Sequence, residues 1–357
     1  MPFDPNKPYN DLPLLPPAAD IETKFILKKL TAARVALSEL KGRALVIPNQ
    51  KMLINSLVLQ EAKSSSSIEN IFTTDDKLYK AFSASQPTLD PATKEVLKYR
   101  KAVWHAHQHF IPNKLFDQNL IENIYRDIKE EADGFRTIQV RIGNQHTTVY
   151  TPPEPGDILN AKISNWLDFA NSANDLDPLI KMAVLHYQFE SIHPFKDGNG
   201  RTGRVINVLY LVKQGLLDLP ILYLSKYINQ NKDRYYSLLT DVTANSNWEA
   251  LIIYMLDAIE NTAVSTLQKI NEIYSLFDDT LKVVKKEAVD IYSYELVELL
   301  FHQPYCKISF LTDANIGNRN TASKYLNKLE SLGILKKEKE GTEILYLNQK
   351  LYEILIK

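Results

Sequence analysis

His193-Pro194-Phe195-Lys196-Asp197-Gly198-Asn199-Gly200-Arg201-Thr202-Gly203-Arg204 is the stretch that decides the fold. Upstream of it, Leu179, Ile180, Met182, Ala183, Val184, Leu185, Tyr187 and Phe189 are apolar on nearly every side of a helical wheel, which predicts a buried helix. Downstream, Val205, Ile206, Val208, Leu209, Tyr210, Leu211 and Val212 predict a second. Two core helices therefore present one short polar loop.

The residue types in that loop suit the handling of a nucleotide's phosphates. Gly198, Asn199 and Gly200 let the backbone turn its N–H groups inward, where a new helix begins with unpaired donors and a positive dipole end. Arg201 and Arg204 lie three apart on its first turn, with Thr202 and Gly203 between them, so both guanidinium groups can reach phosphate oxygens. Asp197 can hold a magnesium ion that bridges phosphates. His193, with an ordinary pKa near neutrality, can take a proton from an attacking hydroxyl.

The loop's residues also match two other patterns, and neither accounts for the whole stretch. Gly198-x-Gly200-x-x-Gly203 matches the dinucleotide-binding fingerprint, with Asp218 about twenty residues on, but that fingerprint needs a preceding β-strand and here a helix precedes it. His186, Glu190 and His193 could serve a metal hydrolase, a reading that leaves the glycines and arginines without a task. A purely structural loop has no need of two arginines on one turn.

The stretch resembles the signature of the Fic family, HPFx[D/E]GNGRxxR, at every fixed position. The resemblance implies a mainly α-helical core with a β-hairpin flap, and transfer of AMP from ATP to a Tyr, Ser or Thr hydroxyl of a protein. It implies His193 as general base and Asp197 as magnesium ligand. Asn199, with the backbone from Gly198 to Gly200, would form the α-phosphate site; Arg201 and Arg204 would bind the outer phosphates, and Phe195 would anchor the loop. Related Doc proteins, which are kinases, carry Lys where this chain has Gly200, which favours adenylylation.

Net charge is −1 over 357 residues, so no overall basic field points to nucleic acid or membrane. The length suggests about two or three domains, and 45% hydrophobic content is ample for large cores. A single cysteine, Cys306, leaves no internal disulfide framework and fits a reducing cytoplasm. The start, Met1-Pro2-Phe3-Asp4-Pro5, lacks a signal-peptide pattern, and no apolar run reads as a bilayer span.

In chain order, residues 1–20 are rich in Pro and Asp and read as an extended arm, with Leu12 to Pro17 able to dock. A helix is predicted from Glu22 to Leu40, ended by Gly42, and a second from Leu53 to Ile68. By composition Ser64-Ser65-Ser66-Ser67 reads as a flexible linker or a cap. The resemblance reweights it: Ser65-x-x-x-Glu69-Asn70 matches the family's inhibitory motif, [S/T]xxxE[G/N], in the class whose inhibitory helix lies N-terminal. A carboxylate there would pair with Arg204 and occupy the guanidinium that the γ-phosphate needs.

A turn region at Pro87 and Pro91 precedes a helix through His105, His107 and His109, whose alternate spacing points them different ways and argues against a shared metal. Leu115 to Ile128 reads as another helix. Val140, Ile142, Thr147, Val149 and Tyr150 alternate about a Gly143-Asn144 turn, a hairpin; the resemblance implies a flap that holds the target segment by strand addition. Tyr235 and Tyr236 are candidates, by the resemblance, for contacts to adenosine.

Helices are predicted over Trp248 to Val264 and Thr266 to Val284. From about Asp290 the pattern fits a winged helix: helices near Tyr294 to Leu300, Phe310 to Ala314 and Asn320 to Leu329, then strands at Gly333 to Leu335 and Ile344 to Leu347. Its charges balance, so a protein-contact role is at least as well supported as DNA binding.

The expected organisation is an N-terminal helical region with the inhibitory motif (1–110), a Fic-type catalytic core (111–285) and a winged helix-turn-helix domain (286–357). The expected function is a cytoplasmic, magnesium-dependent adenylyltransferase held back by Glu69, with self-modification and a homodimer as open expectations. Removal of AMP at the same site, and a DNA-binding regulator with a nucleotide-sensing core, are the alternatives.

Overall fold

The computed structural model describes residues 3–45, 50–85, 89–131, 133–144 and 146–357. The expected turn at Pro87, residue 145 of the hairpin and the first two residues of the arm lie outside them. The arm docks: Leu12 and Leu15 are buried, the Leu15 N–H and carbonyl bond the Asn165 side chain at 2.8 and 3.1 Å, and Gln188 donates to the Pro13 carbonyl at 2.7 Å.

Helix α1 (Lys24–Leu45) buries Ile26, Leu30, Ala33, Leu37 and Leu40, the stripe that the spacing predicts. It runs past Gly42, against expectation: an interior glycine weakens a helix by about 1 kcal/mol without ending it. Helix α2 (Gln50–Ile68) contains all four serines, with Ser65 and Ser66 fully buried, so the composition-based linker reading is corrected. Packing decided this, since the small hydroxyls let α2 lie close against its neighbours. Helices α3 (Asp75–Ser83), α4 (Pro91–Phe110) and α5 (Gln118–Lys129) follow, capped by Thr74, Asp90 and Asp117 through bonds to backbone N–H groups. Helix α5 starts three residues later than read, at its Asp117 cap.

The hairpin is present but short: β1 (Ile142–Gly143) pairs antiparallel with β2 (Thr148–Tyr150), with a register shift between Ile142 and Gly143, and Val140 lies outside the strand. Helix α6 (Asp157–Asn171) leads to the central pair, α7 (Pro178–Ile192) and α8 (Asn199–Lys213), both buried nearly all round as predicted. After α9 (Ser225–Gln230) and α10 (Lys232–Asn245), the two helices expected beyond Trp248 prove to be one, α11 (Trp248–Glu287). Ser265 between them is no breaker, because its hydroxyl bonds the Thr262 carbonyl at 3.1 Å within the helix. By length and composition α11 could cross a membrane, which corrects the expectation that no run could. Half of that apolar window is buried against this fold, where α1, α7, α9 and α10 pack on it.

The C-terminal unit comprises α12 (Tyr294–Leu299), β3 (Tyr305–Cys306), α13 (Ile308–Asp313), α14 (Arg319–Ser331), β4 (Lys336–Glu340), β5 (Glu343–Leu347) and α15 (Gln349–Ile356). Its sheet has the order β3-β5-β4, all antiparallel. The first strand expected at Gly333 to Leu335 lies further on, in the charged run Lys336–Glu340. That run is largely exposed, so it carries no apolar alternation, and its order comes from ladder bonds to β5 in the register Lys336↔Leu347 to Glu340↔Glu343.

Candidate active site

Helix α7 ends at His193, whose N–H bonds the Phe189 carbonyl at 3.0 Å and whose φ is +50°. Pro194 cannot continue the ladder. A histidine in the left-handed region costs on the order of 1 kcal/mol, so its surroundings must hold it. Buried Arg136 does so: its N–H donates to the Pro194 carbonyl at 2.8 Å, its Nε donates to the His193 carbonyl at 2.9 Å, and its Nη2 bonds the Pro153 carbonyl. The backbone and side chain of this one residue thus tie the loop to the hairpin segment, whose near end it also holds through Nη1 on the Ile138 carbonyl at 3.3 Å.

Phe195 is fully buried, stacked on Tyr125 at 4.0 Å between ring centroids with near-parallel planes. Asn199 braces the same turn, accepting from the Phe195 N–H at 2.8 Å and donating to the Phe195 carbonyl at 2.8 Å. The Asn199 side chain therefore shapes the loop, whereas the expectation set it on a phosphate. Gly198 (φ +78°) then turns the chain into α8, whose first N–H groups face outward with no partner inside the helix. Thr202 closes the turn by donating its hydroxyl to the Gly198 carbonyl at 3.0 Å.

Arg204 is buried, and its hydrogen bonds go to the end of α2 and the residue that follows it. Its Nε donates to the Ser65 hydroxyl at 2.8 Å, and its Nη2 donates to the Ser65 carbonyl at 3.0 Å and to Glu69 Oε1 at 2.8 Å. Gly200 permits this approach, because a Cβ there would stand 2.7 Å from Glu69 Oε1 and 2.9 Å from Arg204 Nη1. Asn70 follows with φ +61°, turning the chain away from α2. Burial works against the charge on Arg204, and Glu69 together with the nearby Tyr99 and Glu190 outweighs it, so the guanidinium holds its proton more tightly than usual.

Arg201 is as deeply buried but turned aside, to Glu95 of α4 at 3.0 Å. Asp197 accepts from the Gly198 N–H at 2.6 Å and pairs with Lys129 at 2.7 Å; burial raises its pKa, and Lys129, the Gly198 N–H and Arg201 together more than offset this, leaving the carboxyl below its ordinary value. No group of three or more His, Cys, Asp or Glu among the described residues is placed to hold a metal. A magnesium ion shared with phosphates needs only one or two protein carboxylates, and Asp197 fits that role once Lys129 yields.

A cavity of about 470 Å³ joins these groups, with His193, Arg204, Glu69 and Glu190 in its wall. Burial lowers the His193 imidazole to about 4, so at neutral pH it is an uncharged base. Its Nδ1 lies 3.3 Å from the Glu190 carbonyl, an acceptor, which assigns the proton to Nδ1 and leaves Nε2 free to accept. Glu190 has a buried Oε1 with no hydrogen-bond partner among the described groups, and burial raises its carboxyl to about 7. Gly203 accommodates it, since a Cβ there would stand 2.6 Å from that oxygen.

The two tyrosines separate. Tyr235 is buried with its hydroxyl 2.8 Å from His186 Nε2, a core contact that also removes His186 from any ligand set. Both rings line the cavity, Tyr235 with its hydroxyl held by His186 and Tyr236 43% exposed with the more open ring. Arg136, Tyr125, Lys129 and Glu95 carry no local pattern in the sequence because each acts through a contact across the fold, and Glu190, read there only as a metal-hydrolase candidate, stands in the cavity wall. A larger cavity of about 640 Å³ lies on the other side of α2 and includes none of the motif residues.

Three family models match the chain: the Fic/DOC family N-terminal model over residues 27–108, the Fic/DOC family model over 115–211, and the C-terminal domain of SoFic-like protein adenylyltransferases over 276–351. Among curated proteins it is similar to the protein adenylyltransferase Fic of Drosophila mojavensis, 28% identical over 166 residues, 42% of this chain and 30% of that protein. It is also similar to that of Culex quinquefasciatus, 32% identical over 134 residues, 37% of this chain and 24% of that protein. The chain thus spans less than a third of the length of these relatives. A Fic family protein from Desulfovibrio desulfuricans G20 shares the fold across 91% of this chain and 96% of its own, with a TM-score of 0.57 at 18% identity. A Fic domain containing signaling protein from Bacteroides thetaiotaomicron aligns over 67% of this chain and 95% of its own, with a TM-score of 0.56 at 17% identity.

Proposed function

The chain belongs to the Fic/DOC family, and from that premise we propose that it is a protein adenylyltransferase whose basal state is inhibited by its own helix α2. The observation that carries this is the 2.8 Å pair between Glu69 and Arg204, set in one cavity with His193. An acceptor hydroxyl attacks the α-phosphorus of ATP, the bond from that phosphorus to the bridging β-phosphate oxygen breaks, and pyrophosphate leaves with the electron pair. The hydroxyl proton passes to Nε2 of His193, which burial keeps unprotonated.

The outward N–H groups at the start of α8 hold phosphate oxygens, and Arg204 meets the outer phosphates once Glu69 has left it. Arg201 joins them on exchanging Glu95 for phosphate. Magnesium, held by Asp197, would neutralise phosphate charge. Tyr236 stacks on the base. The N-terminal region (1–110), core (111–285) and C-terminal winged-helix unit (286–357) form the proposed domains, and a cytoplasmic location and an acceptor on another protein or on a second copy complete the proposal.

The test is incorporation of label from ATP labelled on its α-phosphate, with magnesium and cell lysate. Glu69→Gly is expected to label proteins at least about tenfold above wild type, since it removes a charge-assisted bond on the order of 2 kcal/mol. Equal labelling by the two proteins would remove the inhibitory claim.

A further inference from the structure

The docked arm reaches the cavity of the catalytic histidine. Phe3 is part of its wall, beside Ile142, Gly143, Val149 and Tyr150 of the hairpin. The Phe3 ring lies 5.8 Å from the Tyr150 ring with planes 23° apart, and Tyr9 meets Phe3 edge-on at 5.4 Å. The arm is fastened along the strand exit: Tyr9 N–H donates to the Thr151 carbonyl at 3.0 Å, the Thr151 hydroxyl donates to the Pro5 carbonyl at 2.6 Å, and the Glu154 N–H donates to Asn10 Oδ1 at 2.9 Å. Tyr150 is itself anchored, its hydroxyl donating to the Ser191 carbonyl at 2.9 Å. These contacts make a fixed aromatic wall in the cavity that also holds His193, Arg204 and Tyr236.

We propose that this arm is part of the acceptor site, and that Phe3 selects a tyrosine side chain over serine or threonine as the hydroxyl presented to His193. The inference rests on the adenylyl-transfer reading for its chemistry but not for the contact itself. The wall on the hairpin side is apolar and aromatic, formed by Phe3, Ile142, Val149 and the ring of Tyr150. A phenol ring fills such a wall with offset or edge contacts while its hydroxyl projects beyond it, whereas a serine or threonine leaves the wall in contact with water. Hydroxyls of the wall are engaged within the fold: the Tyr150 hydroxyl donates to the Ser191 carbonyl, and the Thr240 and Thr243 hydroxyls bond the Tyr236 and Leu239 carbonyls of their own helix.

The experiment uses the Glu69→Gly chain, alone and combined with Phe3→Ala or Phe3→Leu, and two peptides identical except for Tyr or Ser at the acceptor position. Phe3→Ala is expected to reduce kcat/KM for the Tyr peptide about fivefold while leaving the Ser peptide within about twofold, with Phe3→Leu in between. Affinity for a non-hydrolysable ATP analogue stays unchanged. Equal losses on both peptides, or none, overturn the proposal. Saturation-transfer NMR with N-acetyl-tyrosinamide reads the contact without chemistry. A ring signal present in Glu69→Gly and lost with Phe3→Ala supports the aromatic site, even where neither peptide is adenylylated, in which case the transfer reading alone falls. A ring signal indifferent to Phe3, or absent from the parent, overturns the site.

Discussion

At the scale of single residues, burial sets the protonation of the groups at the site. His193→Ala is expected to reduce AMP transfer by about two to four orders of magnitude in the Glu69→Gly background, measured as initial rate at saturating ATP. The acid limb of the kcat/KM profile is expected near the folded His193 value of about 4 and below the ordinary 6.5. Burial also ties stability to pH, with opposite signs for two pairs. His193 and His186 fall to about 4 and about 3 when folded, so the unfolded chain binds their protons first and stability declines as pH drops below 6.5. Glu61 and Glu190 rise to about 7 from 4.5, so the folded chain holds their protons and stability declines as pH climbs through that window. Glu61→Gln removes one member: its stability relative to wild type should increase between about pH 5 and about pH 8, read from urea midpoints. A constant difference would contradict the buried titration.

At the scale of elements, the loop between α7 and α8 is held from three directions, by Phe195 on Tyr125, by Asn199 across the turn and by Arg136 from the hairpin side. Phe195→Ala is expected to lower stability by about 3–5 kcal/mol, measured by thermal or urea unfolding, and to abolish nucleotide binding with it. Much of this was legible beforehand. The continuous apolar runs predict buried α7 and α8, and the polar, glycine-rich stretch between them predicts the loop that joins them. What was not legible depended on long-range partners. The serines of α2 read as linker material because small polar residues carry no periodic signal, and only contacts across the fold mark them, Ser65 on Arg204 and Ser67 on Asn229. Strand β4 was misplaced because a solvated, charged strand has no alternation to read. Arg201 and Asn199 were expected on phosphates, yet one pairs with Glu95 and the other with the backbone, contacts no spacing rule supplies.

At the scale of the whole molecule, the C-terminal unit is fastened to the region that bears α2 and Glu69. The Tyr305 hydroxyl donates to Asp76 at 2.6 Å, Lys307 reaches the Ser85 hydroxyl at 2.6 Å, and α15 packs on α2 and α11. Leu351 and Leu355 of α15 are fully buried. Leu355→Ala should cost about 2–5 kcal/mol and, by loosening the back of α2, raise the basal transfer rate of the otherwise unaltered chain; a loss of stability with no change in rate would place the C-terminal unit outside the control of the site. The central claim, an adenylyl-transfer site restrained by Glu69 on Arg204, is tested most directly by intact-mass analysis of the purified Glu69→Gly chain after incubation with ATP and magnesium, beside wild type and Glu69→Gly/His193→Ala. The account predicts the mass of one or more AMP groups added to Glu69→Gly alone. An adduct that persists in the His193→Ala chain, or that forms equally on wild type, would contradict it.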